Sequence, residues 1–176
     1  AAIPIGQHPS IVPGRYCDFH GVNYYTRSTV SGPADGVARD CPVNDLGWEI
    51  YPEGIVQVCR KVYDLLPRPI YITENGTCDN EDRFRARYIA EHLQALCESG
   101  LPVERYYHWC FCDNWEWTEG VSARFGLVHV DYADQRRTVK PSGEFYRRVI
   151  QERGVSDELF QEFCGGPYRR SGEDAV

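Results

Sequence analysis

Three times along the chain a short apolar, β-prone run gives way to a stretch with helical periodicity. The runs are Cys17 to Asn23 (CDFHGVN), Pro69 to Thr73 (PIYIT) and Arg105 to Cys110 (RYYHWC). After the first comes a Gly-, Pro-, Asp- and Asn-rich segment, Thr26 to Trp48, read as a long loop of the kind that often carries function. Pro52 and Glu53 then open a helix with Ile55, Val58, Cys59, Val62, Leu65 and Leu66 on one face, and Pro67 ends it. A second helix is expected over about 81–99, with Phe84, Tyr88, Ile89, Leu93, Leu96 and Cys97 inward and Gly100 and Pro102 as stop signals. Beyond the third run, 125–131 and 137–140 pattern as a β-hairpin, and a helix follows from Ser142 to Arg153. A last short helix is capped by Ser156, with Asp157 and Glu158 in its first turn. Strands and helices alternating at this spacing predict βα units and a parallel sheet, an α/β fold. Only three units are present, whereas a closed (β/α)₈ barrel needs eight and about 250 residues.

The expected organisation is a lead-in at 1–15, a body at 16–164 and a mobile tail at 165–176. The 176 residues suffice for one core. A net charge of −7 with dispersed Lys and Arg argues against nucleic-acid binding, which calls for a basic stripe. No apolar run nears the ~18 residues of a bilayer span, so no membrane association is expected. The start, AAIPIGQHPS, lacks the basic-then-apolar pattern of a leader, and with no Met in the chain, Ala1 is not expected to be the translation start. Eight Cys are scattered, with only Cys110 and Cys112 close and no CxxC, so free thiols, no metal and a cytoplasmic location are expected. Aromatic residues reach 13%, which suits either a large aromatic core or a sugar site, where ring faces stack on sugars.

Polar and aromatic residues gather where the strands end: Asn23 and Tyr25, then Glu74 and Asn75, then Trp109. In α/β folds that edge is where active sites are built. Position alone leaves Glu74 open, either a solvated loop-start Glu or a carboxylate kept for use.

Four segments in order narrow the choice: DFHGVNYYT (Asp18 to Thr26), LGWEIYPEG (Leu46 to Gly54), YITENG (Tyr71 to Gly76) and HWCFCDNWEWTEGVSARFGLVHVDY (His108 to Tyr132). Together they resemble glycoside hydrolase family 1, the β-glucosidase-like retaining hydrolases, over about Asp18 to Ile150. The resemblance implies the C-terminal part, about strands 6 to 8, of a TIM barrel that needs no cofactor. By it, Glu74 matches the catalytic nucleophile and Tyr25 the tyrosine that hydrogen-bonds it. Asn23 lies on the neighbouring strand edge, Trp109 matches the floor beneath the sugar, Glu116 and Trp117 the pair bonding its hydroxyls, and Phe125 an aromatic wall. Such enzymes attack the anomeric carbon with one carboxylate while a second, about 5–5.5 Å away, protonates the leaving oxygen. In the family that second carboxylate lies in an Asn-Glu-Pro motif, which this sequence lacks. Glu53, in YPEG, matches a helix start outside the site. The stretch after Glu74 is shorter than is usual in the family.

Two readings follow. In one, the chain is the nucleophile-bearing part of a β-glycosidase acting on unphosphorylated β-glycosides, with the N-terminal barrel half in cis or on a second chain. In the other, it is a non-catalytic sugar-binding or structural half-barrel.

Overall fold

The computed structural model describes residues 16–31 and 34–172, so the lead-in at 1–15 lies outside the described residues. Three parallel strands form its central sheet: β1 (His20–Tyr24), β5 (Ile70–Asn75) and β6 (Val103–His108), in the order β1-β5-β6. Helix α1 (Pro52–Leu65) connects the first two and α2 (Arg85–Glu98) the next, the βα alternation that the sequence predicts. The long loop contains a small hairpin, β2 (Thr29–Ser31) with β3 (Ala34–Gly36), and the short β4 (Pro42–Val43). After β6 the chain makes the expected hairpin, β7 (Val128–Val130) with β8 (Arg137–Val139), then α3 (Pro141–Glu152) and α4 (Asp157–Phe163). The Ser156 side chain accepts a hydrogen bond from the Leu159 amide, the cap read from the sequence.

Helices cover one face of the sheet. Ile55 and Cys59 of α1 meet Val22, Tyr24, Ile70, Ile72, Leu96 and Leu101 in one cluster, all buried. Ile55, Ile70 and Ile72 have no exposed surface, and each such side chain stabilises by about 1.5–3 kcal/mol relative to exposure. Two of the expected inward positions on α1 point out: Leu65 is 86% exposed, and Val58 lies partly open. Only Gly54, Ile55 and Cys59 of this 14-residue helix are buried, so apolar periodicity overstates its buried stripe. On α2, Cys97 is exposed and His92 is buried instead, its ring 3.9 Å from that of Tyr88. Burial lowers the His92 pKa to about 4, so it packs as a neutral ring. The helix begins at Arg85 rather than near Glu81, because the Asp79 carboxylate takes the amides of Arg83, Phe84 and Arg85 and fixes a loop ahead of it.

The opposite face carries Asn23, Tyr71, Thr73, Arg105 and Tyr107. Phe19 stacks on Tyr71 at 4.2 Å, while Tyr107 is largely open. No described element packs on that face, and β1 and β6 are edge strands.

Part of the expected mobile tail is held. Arg169–Arg170 form β9 against β4, and Tyr168 donates to Glu91, its ring packed on Phe84. Gly and Pro at 165–167 make the segment look like loose chain, but the partly buried tyrosine beyond them anchors it.

All eight cysteines are unbridged. Thiol titration of denatured, unreduced protein is expected to find eight per chain, and a lower count or stoichiometric zinc would contradict the reading of the spacing.

Candidate active site

A bulge in β5 creates the site. Strict alternation puts residues three apart on opposite faces, yet Ile72 and Asn75 are both buried. The register slips by one residue between them against both neighbours: Val22 and Asn23 of β1 pair with Ile72 and Glu74, and Tyr106 and His108 of β6 with Ile72 and Asn75. The extra residue re-aims the strand end, as bulges beside active sites do. Asn75 then faces the helices, where its amide donates to the Tyr24 carbonyl and the Tyr88 hydroxyl and its oxygen accepts from Tyr106. Glu74 stays half-buried at the sheet's C-terminal edge.

The Tyr25 hydroxyl donates to Glu74 Oε2 at 2.5 Å. Burial, then the bond to Glu74, pushes the Tyr25 phenol far above its ordinary value, so it remains a donor. Trp109 follows β6 directly, and its indole donates to Glu116 Oε1 at 3.0 Å. Close approach here needs Gly76, because a Cβ at that position would lie 1.9 Å from the Trp109 carbonyl oxygen. The Glu116 pKa is raised, chiefly by burial and also by the charge of Glu74, with the Trp109 bond acting in the opposite sense.

Tyr25, Glu74, Trp109, Glu116, Trp117 and Phe125 line one pocket of about 260 Å³, so six of the seven candidate residues come together. Asn23 does not line it. Its side chain lies on the open sheet face and accepts from the Thr73 hydroxyl at 2.6 Å. Trp117 is 81% exposed and forms the rim. Glu53 lies in the first turn of α1, away from the pocket.

Sequence reasoning missed Trp48, which lines the same pocket and packs its ring 6.3 Å from Tyr25 and 5.9 Å from Phe125. The available signal was an aromatic in a long polar loop, within one of the four motifs. It also missed Asp113, which anchors the segment after β6. This fully buried carboxylate pairs with Lys140 at 2.8 Å and Arg124 at 3.3 Å and accepts from the Gly126 amide at 2.9 Å. Two larger grooves, about 890 and 660 Å³, lie along the helices and hold none of the candidate residues. Among the described residues no group of three or more His, Cys, Asp or Glu is placed to hold a metal ion, and no helix is long and apolar enough to cross a membrane.

The arrangement pairs a hydrogen-bonded carboxylate with aromatic faces and a second carboxylate on the pocket wall. A pyranose suits such a pocket, with its apolar face on indole and its hydroxyls on carboxylate oxygens.

Comparison with known proteins gives the same direction. The family model described as glycosyl hydrolase family 1 matches residues 12–155. β-Glucosidase A of Thermotoga maritima is 40% identical over 159 residues, covering 80% of this chain and 36% of that protein. A β-galactosidase of Sulfolobus acidocaldarius is 38% identical over 162 residues, covering 81% and 33%. Among solved structures, the family 1 β-glucosidase of Thermotoga maritima superposes with a TM-score of 0.71 at 38% identity, covering 80% of this chain and 36% of that one. The chain spans about a third of the length of these relatives.

Proposed function

Because this chain belongs to glycosyl hydrolase family 1, we propose that it is the nucleophile-bearing part of a retaining β-glycosidase, contributing about strands 6 to 8 of a (β/α)₈ barrel. The observation that carries the reading is the 2.5 Å bond from Tyr25 to Glu74, inside a pocket walled by Trp109, Glu116 and Phe125.

Glu74 attacks the anomeric carbon of a β-glycoside and forms a glycosyl-enzyme ester, which water then hydrolyses with net retention. Tyr25 orients the carboxylate and stabilises its charged form through the phenol hydrogen bond. Trp109 lies under the sugar ring while its indole N–H fixes Glu116, whose other oxygen is left for sugar hydroxyls. The acid/base carboxylate that protonates the leaving oxygen and then activates water comes from outside these residues, on the remaining barrel strands. Those strands cover the open sheet face and pair with β1 and β6. Kinetic retention of configuration by the assembled enzyme, followed by NMR of the first-formed anomer, tests the proposal, and an inverted product contradicts it.

Glu116 also sets a charge preference. A carboxylate on the pocket wall repels a phosphate on the sugar, and the half-buried site screens that repulsion less than water would. The assembled enzyme is expected to turn over a nitrophenyl β-glucoside at least about tenfold faster than its 6-phosphate. Faster hydrolysis of the phosphate ester contradicts the role of Glu116.

A further inference from the structure

Arg85 is fully buried at the start of α2, and both terminal nitrogens of its guanidinium donate to two acceptors each, while Nε is buried without a hydrogen-bond partner. Nη2 donates to the carbonyls of Asp79 at 2.6 Å and Arg124 at 2.7 Å. Nη1 donates to the Gly126 carbonyl at 2.8 Å and to Asp82 Oδ1 at 2.7 Å. Asp82 in turn accepts from the amide and hydroxyl of Ser142 on α3. The two loop carbonyls that Arg85 grips, those of Arg124 and Gly126, flank Phe125.

Phe125 transmits that grip to the pocket. Its ring meets Tyr25 edge-on at 6.4 Å, and Tyr25 is the donor to Glu74. Its carbonyl accepts from the Cys110 amide at 3.2 Å, next to Trp109. A buried cation is costly unless it is paired and hydrogen-bonded, as Arg85 is through Asp82 and three carbonyls, and a planar fork suits several fixed acceptors in one place as a lysine ammonium does not. We propose that Arg85 is a positioning residue for glycoside cleavage, acting through Phe125 on the Tyr25–Glu74 pair and on Trp109. The inference rests on the reading of Glu74 as nucleophile.

The test uses the assembled enzyme, with functional sites counted by a slow fluoro-sugar that labels the nucleophile, so that turnover is expressed per labelled site. A residue that only supports the fold lowers the number of sites and not the turnover of each. Arg85→Lys is expected to lower turnover per labelled site of a nitrophenyl β-glucoside by about tenfold, the scale of a small misplacement of reacting groups. Leu159→Ala, on α4 and outside the pocket lining, is expected to lower thermal stability with turnover per site unchanged. In a Phe125→Leu background the Arg85→Lys change should cost less, since the ring it acts through is gone. Parental turnover per site in Arg85→Lys, the pattern of Leu159→Ala, overturns the proposal. If Arg85→Lys gives no folded enzyme, Asp82→Asn carries the test with an expected fall of about threefold per site. Parental turnover per site in that variant overturns the proposal equally. A parent enzyme that is active but not labelled at Glu74 refutes the nucleophile assignment instead, whatever Arg85 does.

Discussion

Glu74→Gln in the assembled enzyme is expected to lower turnover of a nitrophenyl β-glucoside by roughly 10⁴-fold or more, because a neutral amide cannot take the place of the attacking carboxylate. The substitution keeps the shape of the side chain, and its amide oxygen can still accept from the Tyr25 hydroxyl. Thermal stability should therefore change little, which separates lost chemistry from lost fold. Steady-state kinetics beside a melting curve makes the distinction. A variant that keeps a tenth of parental activity would remove Glu74 from the centre of the mechanism.

The second large effect concerns the rest of the barrel. The 176 residues alone are expected to show no useful β-glucosidase activity and to associate or aggregate. Both edges of the sheet, β1 and β6, offer unpaired backbone, and the face bearing Tyr71, Arg105 and Tyr107 is uncovered by any described element. Chemistry is short of a partner as well. Without the acid/base group the leaving oxygen departs unprotonated, a loss of about 10²–10⁴-fold before any lost substrate contact is counted. Adding the remaining strands, fused or as a second chain, should restore both solubility and hydrolysis. Size-exclusion chromatography and an activity assay before and after addition read both effects. Robust hydrolysis by the isolated 176 residues would contradict the incomplete-site account.

Much of this was legible from periodicity and motif order. The three strands, the helices between them and the Ser156 cap all follow from local patterns that tertiary packing did not override. Six of the seven candidate residues share one pocket because each stands at or just beyond a strand end, or in the one loop folded over them. What escaped depends on non-local contacts. The bulge that turns Glu74 and Asn75 to different environments is a property of three paired strands, not of ITEN read alone. Asn23 was placed at the site by its strand position, but its side chain follows the pleat onto the open face and bonds Thr73. Trp48 reaches the pocket from 26 residues before Glu74 in sequence, so its role could not be read from spacing. Arg85 and Asp113 carry no local sign of burial in the sequence, and only the folded chain brings their acceptors and donors to them.

The most direct measurement of the central claim is peptide mapping by mass spectrometry of the assembled enzyme after reaction with a slow fluoro-sugar substrate. The account predicts one covalent sugar per site, on the peptide containing Ile72 to Gly76, with the bond at Glu74 and no labelling in Glu74→Gln. Labelling of an active enzyme at Glu116 or at any other carboxylate, with Glu74 unmodified, would contradict it.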